Sequence, residues 1–270
     1  MLSLIGTSYG LAQTEAESAL VLNPNFDPSN LSDEELLDLL GQIEERRELP
    51  RRTAIFGIPS GYGAPRGLVF FSAAATNRRD RGQSGDWDAS LALGFGMGDA
   101  QRGIGFTPVL EITSVSPYHF GSSGKVGLHV SRQFTLGDKW HGATALGLHN
   151  LLTWGDSSVL DQEYSLAFSS VRPADDALGV PILISAGYGS GISRFGAEPG
   201  YFGGIGVGLR DDFGLSLGWY GDEAIAGANF WLGPQRNLLI SLGIGDIMNS
   251  VSGRRLLLNA TIAKRFWGQR

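Results

Sequence analysis

The chain contains no cysteine, which excludes disulfides, thiolate metal ligation and a cysteine nucleophile. No apolar run approaches the roughly 18 residues a membrane-spanning helix needs, so only a closed barrel could carry this chain across a bilayer. Charge is scarce, at 18% of residues against roughly 25% in ordinary soluble domains. Positive charge is the scarcer sign: 21 Lys and Arg face 27 Asp and Glu, for a net charge of −6. Such a balance excludes the basic stripe that neutralises phosphates, so nucleic acid is not expected as a partner. The four histidines, at 119, 129, 141 and 149, share no ligand spacing on one face, and neither a metal site nor a cofactor is expected.

Glycine, by contrast, is abundant: 40 of 270 residues, about double the usual ~7%, and it sits inside strand-like runs. Around residue 217 the rule is clearest. Phe213, Leu215, Leu217 and Trp219 alternate with Gly214, Ser216, Gly218 and Tyr220, and after a turn at Gly221-Asp222-Glu223 the chain returns with Ala226, Ala228, Phe230 and Leu232 opposed to Gly227, Asn229 and Trp231. Successive strand residues point to opposite faces. One face is therefore apolar and the other small and polar.

The same alternation recurs from Gly67 onward, in segments near 68–76, 87–97, 104–113, 126–134, 141–152, 164–169, 182–188, 201–209, 238–245 and 256–266; only 141–152 has an unclear phase. With the opening pair these make about 12 strands of the length that crosses a bilayer at a tilt. The glycine- and serine-rich face is too small to close-pack, while charges sit mostly in turns. A soluble barrel would show the reverse. The expected fold is an all-β, antiparallel, up-and-down transmembrane β-barrel over residues 67–270.

Ahead of the barrel, residues 1–12 read as a shortened secretory signal or a frayed start: Leu2, Leu4, Ile5 and Leu11 are apolar and Gly10-Leu11-Ala12 offers a small-x-small cleavage site, without a basic flank. Residues 13–66 read as a linker and helix, serving as a plug or a periplasmic segment. Ser32 and Glu35 make a capping box, Arg46 and Arg47 suit the helix end, and Leu36, Leu39, Leu40 and Ile43 form an apolar stripe ended by Pro50. An amphipathic helix from about Asp33 to Glu48 follows. It would dock against the barrel, a partner or the membrane interface, or enter the lumen. Residues 53–66 form a turn-rich entry segment; its glycines make no phosphate loop, since no Gly-Lys-Ser/Thr ending follows.

These strands, the Trp and Tyr residues toward strand ends (Trp87, Trp140, Trp219, Tyr188) and a last strand that alternates up to Phe266 resemble the bacterial outer-membrane β-barrel proteins as a class, over residues 67–266. In that class the last strand carries a signal for the outer-membrane assembly machinery with the aromatic at the very end, whereas here Trp267 to Arg270 extend beyond it. The resemblance implies location in the bacterial outer membrane, with the lipid bilayer and lipopolysaccharide as partners; Arg78, Arg79 and Arg81 form a short basic loop that either meets lipopolysaccharide phosphates or is simply solvated. It also implies that Arg210 to Asp212 and Gly233 to Asn237 are periplasmic turns.

By phase, Glu111, His129, Ser131, Gln133, Tyr220, Asn229, Trp231 and Asn259 line the lumen. Leu91, Leu93, Phe95, Leu215, Leu217, Trp219, Ile240 and Leu242 face the membrane. His129 and Ser131 resemble the His-x-Ser pair of outer-membrane phospholipase A, with Asn150 as a third member; a histidine beside a serine is what nucleophile activation needs. An ordinary polar lumen pair is the expectation, and no catalytic residue is assigned. Glu111 is expected in an internal ion pair, with Arg132 as partner if the local phase shifts. The functional expectation is a passive channel for small polar solutes or ions. The alternative is a non-conducting structural or interaction barrel that binds an envelope partner through its loops or N-terminal helix.

Overall fold

Alternating apolar and small residues form a ladder that closes on itself. The computed structural model describes residues 51–77, 87–174, 179–251 and 253–266. Its strands are β1 (Leu68–Asn77), β2 (Trp87–Phe95), β3 (Met97–Gly98), β4 (Gly105–Ile112), β5 (Gly124–Leu136), β6 (Trp140–Trp154), β7 (Glu163–Arg172), β8 (Ile182–Ser193), β9 (Glu198–Arg210), β10 (Phe213–Tyr220), β11 (Glu223–Leu232), β12 (Leu238–Gly245) and β13 (Arg255–Arg265). The two-residue β3 continues β2 beyond Gly96, so these segments make 12 antiparallel staves. Each stave pairs with its sequence neighbours. The ends meet where β1 pairs with β13, from Leu68 opposite Arg265 to Thr76 opposite Leu257, and every ladder edge is thereby removed.

The exterior is apolar. Leu93 is 47% exposed, Leu166 60%, Leu217 52% and Ile262 48%, in a band too continuous for a surface facing water and suited to lipid. No helix among the described residues is long and apolar enough to cross a membrane. The expected helix over 33–48, the signal-like 1–12, Arg78, Arg79, Arg81 and the tail 267–270 lie outside the described residues.

One rim, here the near rim, carries the start of β1, the end of β13 and the turns at 211–212 and 233–237. The far rim carries the longer connections, including 113–123 and 246–254. Hydrogen bonds brace it: Thr113, Ser123 and Ser157 share hydroxyl contacts of 2.9 Å, and the Asp246 carboxylate accepts from the Ser250 and Val251 amides at 2.6 and 2.8 Å. The unclear phase of 141–152 has a local cause. The β5–β6 register shifts between Val126 and Leu128, which pair with Leu152 and Leu148, and Asn150 in the bulge has φ +55°. Several strands also run further than alternation alone suggests, such as β5 over 124–136 and β9 over 198–210, because polar residues continue the ladder toward the rims.

Candidate functional site in the lumen

Residues 51–66 are the centre of the site: this turn-rich segment lies inside the barrel. Arg51 bonds Asp211 at 3.2 Å and Arg52 donates to the Arg236 carbonyl at 2.7 Å, both at the near rim. The chain then runs inward to a turn at Gly57, whose φ of +75° suits glycine. It returns along the β4–β7 wall to Pro65, whose carbonyl accepts from the Leu68 amide at 3.0 Å as β1 begins. The segment is a re-entrant loop that enters and leaves by the same rim.

A non-helical, non-strand segment in an interior must find partners for its backbone polar groups. The wall supplies them from side chains. The Ser216 hydroxyl accepts from the Phe56 amide at 3.1 Å, and the Ser169 hydroxyl accepts from the Gly61 amide at 2.8 Å. Thr107 Oγ1 accepts from the Ala64 amide at 3.0 Å. In the other direction, Ser185 Oγ donates to the Pro59 carbonyl at 2.7 Å and Asn229 Nδ2 to the Ala54 carbonyl at 3.3 Å. The Tyr62 hydroxyl donates to the His141 carbonyl. Ser169, Ser185, Ser216, Thr107 and Asn229 of the small face thus anchor the inserted backbone.

The glycines of that face have a matching reason. Ile55 and Ile58 are each 1% exposed, and they press on the wall where side chains are missing. A Cβ on Gly204 would stand 2.8 Å from Ile55 Cγ2, one on Gly218 2.5 Å from Ile58 Cγ1, and one on Gly227 2.6 Å from Phe56 Cβ. No such separation is tolerable in a close-packed interior. Ile55, Ile58 and Tyr62 join Ala143, Leu183 and Phe202 in one apolar cluster, while Phe56 joins Ile225 and Leu257 in another. The inserted segment supplies the bulky half of a core whose other half is glycine and serine.

The lumen changes character toward the far rim. Lys125 Nζ lies 3.5 Å from Glu111 Oε2, with both side chains almost wholly buried, and Arg255 pairs with Glu223 in equal burial. The expected Glu111 partner Arg132 is corrected to Lys125: the two stand opposite each other on β4 and β5, while Arg132 is exposed. Taking both charges from water is costly, and the mutual pairing offsets it.

Of the residues assigned to the lumen by phase, Glu111, Ser131, Asn229, Trp231 and Asn259 are buried, and His129, Gln133 and Tyr220 are half-buried. His129, Ser131 and Asn229 meet or flank the inserted segment. Tyr220 stacks on Phe202 with ring centroids 6.2 Å apart, and Trp231 sits over Gly214 near the near rim. Of those assigned to lipid, Leu93, Phe95, Leu215, Leu217, Trp219 and Leu242 are exposed, and Leu91 and Ile240 are half-exposed. The hydrolase arrangement does not assemble. His129 Nε2 engages the Ser60 carbonyl at 3.0 Å, the Ser131 hydroxyl has no hydrogen-bond partner among the described residues, and Asn150 donates to the Asp161 carbonyl. No group of three or more His, Asp or Glu side chains among the described residues could hold a metal ion.

The functional residues that alternation missed are Arg51, Ile55, Phe56, Ile58 and Tyr62. Their one visible signal was an apolar, turn-rich stretch facing a wall with room for it.

No protein-family model and no curated protein matches the chain. Among solved structures it is similar to the KdgM porin, at 12% identity and TM-score 0.46 over 72% of this chain and 98% of that one. It is also similar to the outer membrane protein Omp33 of Acinetobacter baumannii, at 9% identity and TM-score 0.43 over 76% and 100%. The NanC porin aligns at 10% identity and TM-score 0.45 over 74% and 100%. The closed 12-stave barrel with its lipid-suited exterior is the architecture that a membrane-spanning β-barrel requires.

Proposed function

We propose that the chain is an outer-membrane channel for small polar solutes, closed by residues 51–66 and opened when that segment leaves the lumen. One observation carries the reading. The wall groups that hold the segment are hydroxyls and amides, and the same groups become a hydrated polar lining once the segment withdraws. The same hydroxyls and amides satisfy the backbone of the docked segment, so one wall chemistry suits both the filled and the emptied lumen. The amphipathic helix expected at 33–48 lies just ahead of the segment in the chain and serves as its handle, with lipopolysaccharide and the outer-membrane assembly machinery as partners.

The absence of cysteine offers a clean test. Ser60 and Ser169 hydroxyls lie 3.4 Å apart, so cysteines at these two positions place their thiols side by side between segment and wall. The S60C/S169C variant in planar bilayers is expected to conduct when reduced and to be silent when oxidised. Equal current in both forms would show that the segment is not the gate. A second reading, a non-conducting barrel with a permanent inner core, is favoured by the fit of Ile58 into the Gly218 gap. It is established if neither the reduced form nor I58D, which places a charge in that gap, passes current.

A further inference from the structure

We infer that the solute admitted by this lumen is neutral and polyhydroxylated, of sugar size, and that anionic solutes are disfavoured. The inference rests on the channel reading above and concerns what the opened wall would select.

By ladder register, the middle of the wall presents uncharged side chains that both donate and accept: Ser131, Ser169, Ser185, Asn229, Ser241 and Asn259 among them. All six are buried. Some already bond to one another, as Ser241 donates to Asn229 Oδ1 at 2.7 Å and Asn259 donates to Ser72 at 3.0 Å. A hydroxyl offers one donor and two acceptor positions, so a wall of hydroxyls and amides exchanges bonds with a polyol in whatever orientation it slides. Among the described residues, the charged side chains that the register turns inward stand at the ends. Arg265 is at the near rim; Asp88, Glu111, Lys125, Glu163, Glu223, Arg255 and Glu198, the last paired with Arg194, are toward the far rim.

That far group decides the sign. Lys125 and Arg255 are each committed to a buried carboxylate, Glu111 and Glu223, and Asp88 and Glu163 add two further acids. A passage for anions needs a ring of available Arg or Lys. Here the far-rim cations are neutralised in place and the surplus at that rim is acidic. A carboxylate solute meets repulsion at the mouth and finds no compensating charge in the middle, whereas a neutral polyol loses only water that the wall replaces.

The test uses the full chain carrying I58D, reconstituted in liposomes, with swelling rates measured for neutral sugars and for sugar acids of matched size. Neutral sugars are expected to enter about fivefold faster, the factor that one unit-charge repulsion of about 1 kcal/mol produces. Sugar acids entering as fast or faster would overturn the neutral-solute inference and leave the channel reading standing. No swelling with any solute, from a barrel whose heat-modifiable gel mobility shows it folded, would overturn the channel reading and this inference with it. Gly218→Val, which crowds the same gap from the wall side, serves if I58D fails to fold. Adding S241K to the opened variant is expected to narrow or reverse the preference; an unchanged ratio would show that the middle wall does not select.

Discussion

At the scale of the residue, a glycine opposite an inserted side chain and a carboxylate opposite a buried ammonium carry the most consequence. Gly218 lies under Ile58, and the Gly203 carbonyl closes the other side, 3.3 Å from where a Cβ would stand, so a larger residue has nowhere to turn. Gly218→Val overpacks the gap by about 1–3 kcal/mol. The strain falls on the segment, because the ladder on both flanks of β10 is continuous. Limited trypsin digestion at Arg51, Arg52 and Arg66 is expected to accelerate by about tenfold, the factor of 1.4 kcal/mol, with gel mobility of the barrel unchanged. Glu111→Gln removes the charge facing Lys125. About 3–5 kcal/mol of destabilisation is expected, as when one member of a buried pair is lost, read from urea unfolding in detergent micelles.

At the scale of the element, the inserted segment has no ladder of its own and depends on wall side chains for its backbone. Ser169 is central: its hydroxyl meets the Gly61 amide at 2.8 Å and Ser185 at 2.7 Å. Ser169→Ala leaves the Gly61 amide buried without that partner, at about 1–3 kcal/mol. Amide hydrogen exchange over 53–65 is expected to speed by about tenfold or more while β-strand amides stay protected. The segment also carries a titration. Burial pushes the Tyr62 phenol above its ordinary value, so the neutral form favours the docked state. Its contribution is full below the free tyrosine value near 10 and falls as pH rises beyond it. Exchange over 53–65 should therefore increase in alkali, and Tyr62→Phe should remove that component; an identical alkaline profile in the variant would refute the role. None of this is visible in residues 53–66 alone. Their glycines and prolines read as turns, and a turn-rich stretch carries no period to say what lies beside it. The bulge at Asn150 obscured β6 for a similar reason, since extra residues in a ladder leave no mark on alternation.

At the scale of the whole molecule, a closed barrel with an apolar outside and a filled inside must be stable in lipid. Leu217 is exposed near the middle of β10, paired with Ala226 and Ile205 on its neighbours. Leu217→Lys should weaken folding into liposomes by about 2–4 kcal/mol, whereas the same change at rim-proximal Leu232 should cost about 1 kcal/mol or less; equal costs would contradict the membrane placement. Twelve staves, their faces and both rims were legible in the chain because strand alternation has a period of two and each stave repeats it. The burial of Ser131 and Asn229, and the exposure of Leu93 and Leu217, follow from phase alone. Phase does not say what a side chain touches. Lys125 rather than Arg132 faces Glu111 because pairing is set by register between strands. The occupant of the lumen was decided only by tertiary structure, because the gaps beside Gly204, Gly218 and Gly227 and the side chains that fill them lie more than a hundred residues apart in the chain. What the amino-acid sequence determined by itself was a wall with one face too small to be a core; what closure of the barrel decided was that Ile55, Phe56, Ile58 and Tyr62 complete it.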